Sequence, residues 1–164
     1  MTGARISYTF DDRQAMAAIE RLTAVRFQVM KPIGLALVQV VQERFRDERD
    51  PFGQPWAPLS PAYAAVKRGN HILTRSGLLM RSITFRASVD EVAVGSNRVY
   101  AAIHQFGGTI VPKNGKALVF RLGSRVVRAK SVTIPQRPYL GFGPADRRAV
   151  LQVLEAAVQS ALEA

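Results

Sequence analysis

The chain has 164 residues, 48% of them hydrophobic, which is the size and apolar content of one folded domain and excludes wholesale disorder. It contains no cysteine, which excludes a disulfide framework and any thiolate metal site, and fits a reducing cytoplasm. The formal net charge is +11, and the excess lies in residues 61–137, where thirteen basic side chains face two acidic ones. A polyanion or an acidic partner surface would be met there.

Arg5 to Phe10 alternates, with Ile6, Tyr8 and Phe10 on one face, and this predicts a short strand. No charged-then-apolar signal pattern precedes it. Asp11 or Asp12 then caps a helix carrying Met16, Ile19 and Leu22. Pro32 begins, or kinks into, a second helix running to about Asp47. Its apolar positions Ile33, Leu37, Val41 and Phe45 fall four apart, with Ala36, Val38 and Val40 widening the stripe. Gln39, Gln42, Glu43 and Arg46 take the wet side. The apolar run Ile33–Val41 is interrupted by Gln39 and is too short to span a membrane.

Residues 51–63, PFGQPWAPLSPAY, hold four of the nine prolines and the single tryptophan. Each proline fixes φ and biases its predecessor toward extended geometry, so this is a stiff loop and not a helix. The spacing predicts that the loop pins Trp56 and Leu59 onto the preceding helix. The indole N–H of Trp56 will need a partner there. Ser60 and Pro61 supply an N-cap and a first helical residue for a helix through Tyr63 and Val66.

Next, Leu73, Leu78, Leu79 and Ile83 are expected core positions. Strand signals follow at Ser82–Ser88 and Glu91–Gly95, around a turn at Asp90. Val99–Phe106 suits either a strand or a short helix; Gly107 would close the helix in left-handed geometry. From Thr109 to Ile134 the pattern is again strands, broken at Lys113-Asn114-Gly115 and Leu122-Gly123-Ser124. Pro135, Pro138, Gly141 and Gly143 mark an ordered loop around Tyr139, Leu140 and Phe142. Pro144 and Asp146 open a C-terminal helix whose stripe is Val150, Leu154, Val158 and Leu162, edged by Leu151 and Ala161. The order predicts a single α+β domain spanning 1–164. In it the helices, one of them long, pack on one face of a small antiparallel sheet, with a protruding basic hairpin.

Catalytic constellations are missing from the sequence. His71 and His104 have no acid pair near them, and a general base needs an oriented partner. Asp47, Glu48 and Asp50 interleave with Arg44, Arg46 and Arg49, as a solvated salt-bridge patch does. Gly141-Phe142-Gly143 lacks the third glycine and the preceding strand of a dinucleotide loop. No enzymatic activity, cofactor or metal is expected. The positive signal is the segment from Lys113 to Lys130. It carries Lys113, Lys116, Arg121, Arg125, Arg128 and Lys130 and no acid in eighteen positions, with Leu118, Phe120, Val126 and Val127 between them. A strand pair with its basic side chains facing out fits this pattern. Its charges would either blunt an edge strand or contact phosphates or an acidic protein ring. It offers no aromatic stacking platform and no recognition helix, so sequence-specific nucleic-acid binding is disfavoured.

Four runs in order, PFGQPWAPLSPAYAAVK, LTRSGLLMRSI, VGSNRVYAAIHQFGG and IPQRPYLGF, resemble the phage virion morphogenesis (tail completion) family of Mu-like and related tailed phages. The likeness extends from about Phe45 into the C-terminal helix, while residues 1–40 carry little of it. It implies a non-enzymatic structural virion protein, assembled in the host cytoplasm. Its place would be a homo-oligomeric ring at the neck, between a finished tail and a DNA-filled head. Neighbouring head-completion and tail proteins would be its partners, with possible contact to the genome and none to a membrane. The family's recurring residues fall here on Trp56, Leu59, Lys67, Leu73, Gly77, Leu78, Tyr100, His104, Gln105, Gly107, Arg137, Pro138 and Gly141. Most read as fold-specifying: Trp56 an anchor, Gly107 a helix cap, Pro138 a loop lock. Lys67, His104 and Arg137, polar groups among apolar neighbours, are the exceptions. The competing class is a non-specific DNA-binding or packaging-associated protein, which the charge alone would permit.

Overall fold

The computed structural model describes residues 13–67, 69 and 71–163. The expected strand at Arg5–Phe10 and the cap at Asp11 or Asp12 lie outside these residues, as does the side chain of Leu22. The long helix α1 spans Arg13–Asp47 without a break, with Pro32 inside it. The two helices expected on either side of Pro32 are therefore one. An interior proline forfeits one backbone bond and crowds the preceding turn, at a cost of about 3 kcal/mol. Here Pro32 and Gln28, whose carbonyl loses its partner, are both exposed residues, while Val29 and Ile33 are buried. Burial along one continuous face offsets the lost bond.

That face also rotates. Residues four apart on a helix advance by roughly 40° more than one turn. The row Val25, Val29, Ile33, Leu37, Val41, Phe45 therefore winds about half-way round the helix. Val25 to Leu37 pack against the C-terminal helix α5, Pro144–Glu163. Val41 and Phe45 belong to a second cluster with Trp56, Ile72, Leu79, Ile83, Ala101 and Tyr139. One helix thus serves two cores. Met16 and Ile19 were expected on the buried face but are about half exposed, near the helix start and away from both clusters.

Gly34 sits mid-helix, where glycine costs about 1 kcal/mol relative to alanine. A Cβ there would lie 2.1 Å from the ring of Phe85. The missing side chain lets strand β1 (Ile83–Ala87) lie against α1. β1 pairs antiparallel with β2 (Val92–Ser96), in a register that puts Phe85 opposite Val94 and Ala87 opposite Val92. Both strands and the turn between them fall where the sequence placed them.

Between α1 and β1 lie two short helices, α2 (Pro61–Ala64) and α3 (Leu78–Arg81). The Ser60 side chain accepts from the Tyr63 amide at 3.4 Å, as its N-cap position requires. Leu79 and Ile83 are core, Leu73 half-buried, and Leu78 exposed at 43%; Ile72 takes the buried position instead. Val99–Phe106 resolves as a helix, α4, from Ala101 to Phe106. Gly107 ends it with φ 69° and ψ −176°. This is not the left-handed cap expected but an extended positive-φ conformation open essentially to glycine alone. A Cβ there would meet the Gln136 amide nitrogen at 2.8 Å.

The remaining strands are β3 (Gly108–Ile110), β4 (Leu118–Leu122), β5 (Arg125–Ala129) and β6 (Val132–Ile134). β3 pairs with β6 and β4 with β5. Among the described residues the antiparallel structure is thus three two-stranded ribbons, and the fold is α+β. On α5 the packed face is Val150, Val153, Leu154, Ala157 and Ala161. The expected positions Val158 and Leu162 are exposed at 38% and 59%. Small alanines let α5 approach α1 closely, and this turns the larger Val158 and Leu162 outward.

Candidate functional site

Two stretches of chain, 51–58 and 137–143, run side by side in opposite directions and make the platform of the site. Trp56, 5% exposed, stacks edge-on against Phe45 with ring centroids 5.4 Å apart. Its Nε1 donates to the Pro138 carbonyl at 2.7 Å. The burial of Trp56 on the long helix, read from the sequence, is what the structure has. Tyr139, only 1% exposed, packs on the other side of Phe45 and donates its hydroxyl to the Ala101 carbonyl. Burial pushes the Tyr139 phenol above its ordinary pKa. Gln105 holds the same loop. Its Oε1 accepts from the Tyr139 and Leu140 amides, and its Nε2 donates to the Leu140 carbonyl. Gln105, one of the positions singled out by the resemblance, thus braces the backbone of this loop.

Arg44 and Asp146 correct the sequence reading. The sequence places Arg44 in a solvated patch and Asp146 at the helix dipole, yet they are 6% and 2% exposed. Arg44 pairs with Asp146 and also donates to the carbonyls of Tyr139 and Gly141. Asp146 further accepts from the Gly143 amide at 2.8 Å. A pair 102 residues apart in sequence, each member set among ordinary surface charges, gives no local signal. Nearby, Glu48 does not belong to a free patch either: it accepts from the Ile72 amide and faces His71 at 3.3 Å.

At the far end of the platform opens a cavity of about 670 Å³. Its walls are largely apolar, from Leu59, Tyr63, Leu73, Phe120, Val127 and Ile134, and it carries Lys67, Arg75, His104 and Arg137. No acid lines it. The three polar exceptions of the sequence, Lys67, His104 and Arg137, come together here. Leu59, Leu73 and Tyr100 line the same space. Arg137 is 6% exposed and donates to the carbonyls of Ala57 and Pro58 at 2.7 and 2.8 Å. No carboxylate among the described residues pairs with it, and burial lowers its pKa. A buried cation held only by carbonyls is incompletely compensated.

His104 stands edge-on to Tyr100, and its Nδ1 is buried without a hydrogen-bond partner. Burial, and then the charge of Arg137, lower its pKa from the ordinary 6.5. In the folded protein the imidazole therefore stays neutral where the unfolded chain would take up a proton. Unfolding then binds protons, so this contribution to stability falls as pH drops below 6.5. The thermal midpoint of the wild type should fall between pH 7 and pH 5 by more than that of His104→Gln. Parallel curves for the two proteins would contradict this.

The basic segment forms one wall of the cavity. Opposed residues share a face: Phe120 with Val127 and Leu122 with Arg125 on one side, Val119 with Arg128 and Arg121 with Val126 on the other. Phe120, Leu122 and Val127 face inward and line the cavity. The tip turns back onto the turn after α2, which stops at Ala64 short of the expected Val66, and a Cβ on Gly123 would lie 3.0 Å from the Val66 side chain. Lys113, Lys116, Arg121, Arg125, Arg128 and Lys130 are all exposed, as the sequence implied. They do not form one outward face, because the pleat divides Arg121 and Arg128 from Arg125, and Val126 is exposed among them.

The profile of the phage virion morphogenesis family matches residues 11–159. The chain is 28% identical over 160 residues to "Putative capsid assembly protein G" of Escherichia phage Mu, covering 93% of each chain. It is 30% identical over 147 residues to "Mu-like prophage FluMu G protein 2" of Haemophilus influenzae, covering 87% of this chain and 88% of the relative. No solved structure matches. No helix among the described residues is long and apolar enough to cross a membrane. With the family profile covering nearly the whole chain, this protein belongs to the phage virion morphogenesis family and has a role in assembling the phage particle.

Proposed function

We infer that the protein is a structural component of the phage neck, forming a ring that completes the tail and joins it to the DNA-filled head. Family membership supports the assembly role. The observation that carries the neck reading is the arm of β4 and β5, with its approaches. It exposes six basic side chains and no acid, and so carries six of the eleven net positive charges of the chain. Contacts of such side chains with phosphates are sequence-independent and weaken with salt. They could hold a DNA end, or an acidic neighbouring ring, without preventing later exit of the genome. The partners in this reading are further copies of the chain and the adjoining head-completion and tail proteins.

The test replaces Lys116, Arg121 and Arg125 together by Glu. Exposed substitutions of this kind change stability by within about 0.5 kcal/mol each, so the variant should melt close to the wild type. It should nevertheless give separate heads and tails, or joined particles that lose their DNA. Wild-type yields of infectious particles from a folded triple variant would overturn the role of the arm. The same charge favours a second reading, a non-specific DNA-binding or packaging factor. That reading requires affinity for free duplex in the tens of nanomolar, well beyond the ~10⁻⁴–10⁻⁶ M of ordinary non-specific binding.

A further inference from the structure

The paired stretches 51–58 and 137–143 have two unlike ends. One end feeds the cavity through Pro58 and Arg137. The other displays Phe52 and Phe142, 71% and 58% exposed, on either side of the close approach of Pro51 to Gly141 and Gly143. Trp56 and Tyr139 lie between the two ends along both stretches.

The loop that carries Phe52 is braced to an unusual degree for an exposed turn. Asp50 Oδ1 accepts from the amides of Phe52 and Gln54, both at 2.8 Å. The Asp50 amide donates to the Gln54 carbonyl, and the Gly53 amide to that of Asp50. Arg49 donates to the Gly53 carbonyl at 2.8 Å, and Arg49 bridges to Pro55. A large aromatic held in water on a rigid turn gains nothing for this fold. Pre-organised, it loses little entropy on docking, and aromatic anchors of this kind dominate interface energetics. Glu43, Asp47 and Asp50 border the same recess as Phe52, together with Arg44, which is paired with Asp146, Arg49, which is held by the Gly53 carbonyl, and Arg148.

We propose that Phe52 of one copy of this chain seats in the cavity of the next copy, with Asp47 and Asp50 facing the cations of its wall. The cavity supplies what such a knob lacks: apolar walls, space for an aromatic ring, and Lys67, Arg75 and Arg137 with no acid among the described residues. The knob supplies what the cavity lacks, namely carboxylates near the buried Arg137. Unlike patches at opposite ends of one platform make a heterologous, head-to-tail contact, the kind that closes into rings. The proposal rests on the ring reading above and adds to it the two surfaces that meet.

A benzophenone amino acid at position 52 tests it in particles assembled with the full-length chain, with the same group at Leu35, exposed on α1, as control. Irradiation should give a dimer of the chain from position 52 but not from position 35. Peptide mapping should place the link in residues 59–67 or 118–127. Capture of a different virion protein, a link elsewhere on the chain, or no dimer would overturn the proposal. Copy number, counted by quantitative mass spectrometry on the same particles, separates the two readings. Many copies without the mapped link overturn the knob and leave the ring standing, whereas one copy per particle overturns both. In parallel, Phe52→Ala should lose joined particles at an unchanged thermal midpoint, while Phe52→Trp should keep them; wild-type yields from Phe52→Ala would also count against the proposal.

Discussion

Asp146→Ala is expected to destabilise the protein by about 3–5 kcal/mol, the usual cost of removing one partner of a buried ion pair. The loss does not measure the attraction between Arg44 and Asp146. It comes from leaving the Arg44 guanidinium, 6% exposed, without a counter-charge, and the Gly143 amide without its acceptor. Arg44 also ties the carbonyls of Tyr139 and Gly141 to α1, so the platform under the cavity should loosen as well. Arg44→Met removes the cation but strands those carbonyls and the carboxylate. The double variant Arg44→Met with Asp146→Ala should therefore cost less than the two single losses added together. A coupling of 0.5–3 kcal/mol is the usual range for residues in contact. Urea unfolding of the four proteins measures it. Additive losses would mean that the pair does not act as a unit.

Trp56→Ala should cost a similar amount, about 3–5 kcal/mol, as truncation of a large buried aromatic does. Two separate contributions are lost: the packed edge-on contact with Phe45, and the hydrogen bond to the Pro138 carbonyl. Trp56→Phe separates them. It keeps most of the apolar area and leaves the carbonyl unpaired, for which about 1–3 kcal/mol is expected. Because Trp56 is the single tryptophan, its fluorescence reports this position alone. Emission at the wavelength of fully hydrated indole in the folded protein would refute its burial. A small loss for Trp56→Ala would mean that the platform can collapse around the gap.

What could be read without the structure follows from short-range rules. The four-residue spacing from Ile33 to Phe45 names a helix face, and Ser60-Pro61 names a helix start. The alternation around Asp90 names a hairpin, and proline with glycine in 135–143 names an ordered loop. Each of these signals is complete within a dozen residues, so tertiary contacts had only to confirm them. The motif residues could be located in the same way, and their likeness to a phage family needed only order and spacing. The basic arm was legible as composition, since charge is counted residue by residue.

The tertiary structure decided whatever depends on a partner distant in sequence. Pro32 does not end α1, because burial on both sides outweighs one lost backbone bond. Val158 and Leu162 face out because the alanines of α5, not its largest side chains, fit against α1. Arg44 and Asp146 leave the surface only because α1 and the start of α5 meet, and nothing local distinguishes them from solvated charges. The cavity is the clearest case. Lys67, His104 and Arg137 lie on three separate segments, and the fold of the 51–58 and 137–143 stretches brings them to one wall. Electrostatics and packing act through space, whereas periodicity and turn chemistry act along the chain. Sequence by itself therefore determined most of the elements and the family, and the fold determined where α1 continues and which polar groups share a site.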